Sequence, residues 1–166
     1  MAIIPAHNEA AVIANLVESL KAQDYPQELL DIYVIADNCT DKTAEIARDA
    51  GAIVYERFDA TKKTKGYAMQ WFLKQKIEEN ADYDAFCVFD ADNVAMPDFI
   101  KNMNKKLCQG EEVVQGYRDI KNKLPNKDII DKIIILSRKK VLRIPRKQEE
   151  AFLCRKEKSS PCLMVR

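Results

Sequence analysis

The sequence predicts an α/β protein with a mostly parallel sheet covered by helices on both faces. Three observations carry that prediction. Strand-like and helix-like segments alternate with short connections, the strands are continuous apolar runs rather than in/out alternations, and polar residues gather where those runs end.

Ala2 to Ile4 reads as a first strand ended by Pro5, after which Val12, Ile13, Leu16, Val17 and Leu20 recur at helical spacing. Residues 31–37 (DIYVIAD) form a second buried strand. In the following NCTDKTAEIARDAG, Thr40 or Asp41 caps a helix that Gly51 ends. Residues 52–55 (AIVY) make a third strand. Beyond the basic loop TKKTKG a helix runs to about Asn80, with Met69, Phe72, Leu73 and Ile77 on its apolar face. AFCVFD (85–90) is the fourth strand, residues 98–109 are a helix stopped by Gly110, and EVVQGYR (112–118) is the fifth strand.

A chain of 166 residues that is 47% hydrophobic suits one compact domain. Its net charge of +1 hides a split after Ile120: residues 1–120 carry 13 Lys and Arg against 21 Asp and Glu, a balance of −8, and residues 121–166 carry 14 against 5, a balance of +9. The expected organisation is a ligand-binding domain over residues 1–122 and a basic tail over 123–166, partly ordered at best. Within the tail, IIDKIIIL is expected to cover the sheet as a short helix or strand. Five cysteines at scattered spacings, with no C-x-x-C, argue against a disulfide framework or a zinc site and for reduced thiols. No run approaches the roughly 20 apolar residues that cross a bilayer, and the start lacks a secretory pattern, so a cytoplasmic protein is expected.

In open parallel sheets ligands bind beyond the carboxyl ends of the strands. There the sequence places His7-Asn8-Glu9, Asp37 to Asp41, and Asp90-Ala91-Asp92-Asn93. If residues 90–92 stay extended, Asp90 and Asp92 point the same way with Cα atoms about 7 Å apart, and their repulsion is relieved by a cation. Mg²⁺ or Mn²⁺ is commonly held by one or two carboxylates, the other positions going to water and phosphate, so the pair suggests a metal shared with a diphosphate. The alternative is a solvated turn before Pro97, with Asp98 capping the next helix.

Four segments in this order, IIPAHNEA, IADNCTDKTAEIA, KGYAM and VFDADN, resemble the nucleotide-sugar half of the family 2 glycosyltransferases, over residues 2 to about 122. The resemblance implies the GT-A fold, which is Rossmann-like, and a bacterial inverting transferase that draws on a nucleotide-diphosphate sugar, most often UDP-linked. By carry-over, Glu9 and Asp37 meet the uridine, and Asp37 accepts from the uracil N3–H, which adenine does not offer. Asp90 reaches the ribose and, with Asp92, forms the Asp-x-Asp motif that ligates Mg²⁺ or Mn²⁺ on the diphosphate; Pro5, His7 and Ala91 line the donor. Lys65 adds positive charge near the phosphates, and Gly66 lets the backbone approach.

Each residue also has a plainer reading. Glu9 suits the first turn of a helix, Asp37 can cap the next helix, Lys62, Lys63 and Lys65 can be a solvated loop, and Trp71 beside Phe72 suits packing. The family often has two consecutive aspartates where this chain has Ala36 and Asp37. The resemblance further implies an acceptor half with a carboxylate general base and a Gln-x-x-Arg-Trp segment, and neither is found after residue 122. Without a base, transfer is expected to lose roughly 10²- to 10⁴-fold, so no catalytic residue is assigned and the expected glycosyltransferase, of hexosyl- or N-acetylhexosaminyl-transferase type, is not expected to transfer efficiently as this chain alone. The open alternatives are a nucleotide-binding remnant and a basic interaction module. The Lys- and Arg-rich tail suits an anionic membrane surface, and its lack of interleaved aromatics argues against nucleic acid. The acceptor is not legible.

Overall fold

In the computed structural model the described residues are 1–116 and, as backbone alone, 133–137. Six strands, β1 (Ala2–Ala6), β2 (Ile32–Asp37), β3 (Ile53–Arg57), β4 (Ala85–Val88), β5 (Val113–Gly116) and β6 (Ile133–Ser137), form one sheet in the order β3-β2-β1-β4-β6-β5. The first four are parallel, while β6 runs antiparallel to both β4 and β5. Strand order reverses between β1 and β4, so the crevice that such a reversal opens lies beyond their carboxyl ends.

Alternate β1 side chains enter two cores. Ala2, Ile4 and Ala6 face α1 (Ile13–Lys21), α2 (Thr43–Asp49) and α4 (Phe99–Cys108), where Leu16, Val17, Ala47 and Ile100 are buried. Ile3 joins Tyr33, Ile35, Ala68 and Phe72 against α3 (Lys65–Glu78) on the opposite face. Both faces are thus covered, which is why β1 and β2 read as unbroken apolar runs. A fully buried Ile, Leu or Phe contributes about 1.5–3 kcal/mol, and Ile3, Ile4, Leu16, Leu20, Phe72 and Phe89 are all of that kind. Helix ends follow local chemistry: Thr64 caps α3 by accepting from the Tyr67 N–H, and Gly51 and Gly110 take φ of +96° and +92° just past α2 and α4.

Several expectations are corrected. Pro5 does not end the first strand; it pairs with Ile35 inside β1. Ile3 accepts from Phe89 toward β4, so the missing Pro5 N–H faces the side where β1–β4 pairing has already stopped, and no ladder bond is lost. The buried line of α3 is Ala68, Phe72 and Lys76, while Ile77 is 40% exposed. Lys76 enters because Tyr33, Tyr55 and Phe72 surround its Nζ at 4.5, 4.6 and 5.5 Å from the ring centroids. Burial pulls that ammonium's pKa down, but hydrogen bonds to Glu79 and Tyr55 outweigh it and leave the pKa raised.

Residues 133–137 lie within the sheet rather than over it, so the sheet does not end at residue 122. The rest of the expected tail lies outside the described residues. Cys39 and Cys87 are free thiols. Among the described residues no helix is long and apolar enough to cross a membrane.

Candidate functional site

Three loops at the carboxyl edge are stitched together by side chains. After β1, His7 Nδ1–H donates to the Asp37 carbonyl (2.7 Å), which sets the protonated ring nitrogen. Asn8, at φ +56°, accepts from the Thr40 N–H through Oδ1 (2.8 Å). The Glu9 N–H donates to Thr43 Oγ1 (2.8 Å), and the Ala10 N–H to Asp41 Oδ2 (3.2 Å). Asp41 Oδ1 accepts from the Thr43 N–H and hydroxyl and so orders the entry to α2, but the N-cap position is Lys42 rather than the expected Thr40 or Asp41. Glu9 lies in a turn whose carbonyl accepts from Val12 and Ile13, ahead of α1 rather than in its first turn.

Asp37 ends β2 in register with Arg57 at the end of β3. Arg57 Nη1 donates to Asp37 Oδ1 at 2.6 Å, with both side chains less than a tenth exposed, and Asn38 Nδ2 donates to the same oxygen at 3.0 Å. Asp37 therefore does not cap α2; its carboxylate is paired. Arg57 Nη2 continues to Asp59 Oδ2 (3.0 Å), and the Asp59 N–H returns to Asn38 Oδ1 (2.9 Å). The Thr61 hydroxyl and amide, then the Lys62 amide and the Arg57 charge, hold the Asp59 carboxyl down at about 2. Between these loops lies an open groove of about 490 Å³, with Asn38, Cys39 and Thr40 on one side and Phe58, Asp59 and Lys63 on the other. Burial raises the Cys39 thiol, and its Sγ donates to the Ala6 carbonyl (3.5 Å), so it offers little thiolate.

Residues 90–92 are not extended. The Asn93 N–H donates to the Asp90 carbonyl (3.0 Å) and closes a turn in which Ala91 and Asn93 are buried, while Asp92 is exposed and Asp90 half-exposed. The extended Asp90–Asp92 geometry is thus replaced by a turn. Lys65, expected in a loop, is the first residue of α3 and forms an ion pair with Asp90, their side chains 46% and 45% exposed. Gly66 follows within that helix, and a Cβ there would meet only Thr64 Oγ1 at 3.8 Å, so the protein itself does not require glycine. Trp71 packs edge-on against Tyr55. Among the described residues no group of three or more His, Cys, Asp or Glu forms a cation site, so Asp90 and Asp92 would need oxygens from a ligand to complete one. Two hard oxygen donors suit Mg²⁺ or Mn²⁺ on those terms.

Sequence reasoning missed Arg57, Phe58 and Asp59 because it ended the third strand at residue 55. The signal was available: extending that strand by two residues brings a lone arginine level with Asp37.

The model of the family described as "Glycosyl transferase family 2" matches residues 1–159. The chain belongs to glycosyltransferase family 2. Two family relatives are a probable glycosyltransferase, YdaM, of Bacillus subtilis, 34% identical over 97 residues (55% of this chain, 22% of the relative), and protein RfbJ of Shigella flexneri, 31% identical over 107 residues (62% and 74%). The chain thus spans about a fifth of YdaM. Among solved structures, S. aureus TarS 1-349 in complex with UDP-GlcNAc has a TM-score of 0.61 at 20% identity, over 76% of this chain and 36% of that one. Glucosyl-3-phosphoglycerate synthase from Mycobacterium tuberculosis, in complex with Mg²⁺ and UDP, has 0.52 at 22%, over 68% and 41%. The family fold is the expected GT-A arrangement, an α/β sheet with four parallel strands.

Proposed function

We propose that the chain binds a nucleotide-diphosphate sugar, UDP-linked, at this edge and serves its inverting transfer in a cytoplasmic setting. What supports the reading is that Asp37 at the end of β2, and the Lys65–Asp90 ion pair and Asp92 just beyond β4, stand at the carboxyl edge of a parallel sheet whose strand order reverses between β1 and β4. The complexes of TarS with UDP-GlcNAc and of the mycobacterial synthase with Mg²⁺ and UDP support it.

Arg57 and Asn38 both take Oδ1 of Asp37, and we assign Oδ2 to the uracil N3–H. Glu9, Pro5 and His7 form the neighbouring wall on the uridine. Asp90 meets the ribose, and Lys65 exchanges Asp90 for diphosphate oxygens when the donor enters. Gly66 and Ala91 keep the backbone low beside the phosphates. Asp92, with Asp90, would hold Mg²⁺ or Mn²⁺, which when bound offsets charge on the departing diphosphate. Among the described residues we assign none to deprotonate the acceptor hydroxyl, so the reading covers donor binding and leaving-group stabilisation. Contact of the basic tail with an anionic membrane surface belongs to the same proposal.

Titration calorimetry with UDP and a UDP-sugar, with and without Mn²⁺, tests the site. Binding should strengthen with Mn²⁺, and Asp92→Ala should abolish that gain while leaving the melting temperature within a few degrees. Equal affinity with and without the ion, or an unaltered mutant, would overturn the metal assignment. Binding with no release of sugar would favour a nucleotide-binding remnant over an enzyme that turns over.

A further inference from the structure

The turn that bears Asp90 and Asp92 is pinned on both sides. Upstream, the Phe89 N–H donates to the Ile3 carbonyl at 3.0 Å and ties the turn to β1. Downstream, the backbone of residues 95–100 is fastened to the end of α1 by side chains that lie 73 to 77 residues earlier in the chain. The Ser19 hydroxyl donates to the Leu16 carbonyl (2.8 Å) and accepts from the Ala95 N–H (3.0 Å). Gln23 is 6% exposed and uses both ends of its amide: Nε2 donates to the Ser19 (3.0 Å) and Met96 (2.7 Å) carbonyls, and Oε1 accepts from the Ile100 N–H (2.9 Å). The Asp24 N–H adds a bond to the Pro97 carbonyl (2.7 Å). Neither Ser19 nor Gln23 belongs to the four family motifs.

The turn itself shows what these bonds hold. Asn93 closes it and is 6% exposed, and among the described residues its Nδ2 is buried with no hydrogen-bond partner. A buried, unpaired amide is costly, and a turn free to move would rotate it into water or onto a carbonyl. Such an arrangement persists only where neighbouring bonds over-determine it. We infer that Ser19 and Gln23 are positioning residues for the cation-binding turn. Acting through Ala95, Met96 and Ile100, they hold Asp90 and Asp92 in one arrangement, so that Mg²⁺ or Mn²⁺ and the donor's diphosphate meet a turn already ordered. This rests on the nucleotide and metal reading above. Order built in beforehand lowers the cost of binding, and hydrogen bonds behind a metal's ligands are worth roughly 10- to 100-fold in metal affinity.

The test uses the full 166-residue chain and UDP, titrated with and without Mn²⁺. The ratio of the two affinities measures what the ion and its turn contribute. Gln23→Met should cut that ratio by roughly 10-fold and Ser19→Ala by less, both with the affinity for UDP alone unaltered. Ser19→Thr keeps a hydroxyl within reach of the Leu16 carbonyl and should restore the ratio. If Gln23→Met does not fold, the two Ser19 variants carry the test by themselves. Equal weakening with and without the ion overturns the inference, because a general loss of structure would do the same. An unaltered ratio in either variant, or Ser19→Thr no better than Ser19→Ala, also overturns it and leaves the metal site standing. A ratio of one in the unsubstituted chain overturns the metal reading and this inference with it, and no binding of UDP at all removes the nucleotide reading as well.

Discussion

The ends of β2 and β3 and the exit of β4 meet charge in opposite ways. At β2–β3 the Asp37–Arg57 pair is less than a tenth exposed and linked onward to Asn38 and Asp59. At β4, Asp90 meets Lys65 with both side chains nearly half exposed, on a turn rather than a strand. Water has been removed from the first pair and competes at the second. A buried pair fixes geometry and resists exchange, whereas an exposed pair costs little to break, so a group that must trade partners for a ligand is better placed at the surface.

The sharpest way to break this contrast is Arg57→Met. It strands Asp37 without its partner and should cost about 3–5 kcal/mol in urea unfolding, with Asp37→Leu in the same chain recovering most of it. An effect below about 1 kcal/mol would mean that the pair is solvated in solution.

A second expectation concerns Asp59, whose carboxyl falls to about 2 from an ordinary 3.8. Because the folded value is the lower one, its hydrogen bonds stabilise the fold above about pH 4 and are lost as pH falls toward 2. The Thr61 and Lys62 amide shifts should titrate with a midpoint near 2, and Asp59→Asn should remove that titration. A midpoint at 3.8 would show the loop unpinned.

The smallest effect on stability is expected from Lys65→Met, under about 1 kcal/mol and weaker still at high salt. The same substitution should weaken pyrophosphate binding. Stability lost on the scale of Arg57→Met would erase the distinction between the two regions.

Most of the fold was legible because it rests on local pattern: Ile13, Leu16, Val17 and Leu20 all face the core as their spacing requires, and Gly51 and Gly110 mark the ends of their helices. What was not legible depends on neighbours that the chain does not announce. Pro5 reads as a stop until the direction of its missing N–H is known. Lys76 reads as surface until three aromatic rings from different elements close around it. The Asp-x-Asp segment was legible as chemistry but not as geometry, since one hydrogen bond from Asn93 turns an extended pair into a bend. For the candidate site, sequence named the acids and missed the cation beside Asp37, because that partnership exists only through strand register.

The position of β6 carries one more consequence. It lies between β4 and β5, although it follows both in the chain. Synthesis therefore delivers the outer strand before the one that must separate it from the parallel core. Until residues 133–137 insert, β4 presents an unmatched row of amides and carbonyls beside the turn bearing Asp90 and Asp92. Completing that side of the molecule is a late, non-local event, and any foreign extended segment that reached the gap first would compete with the chain's own strand for it.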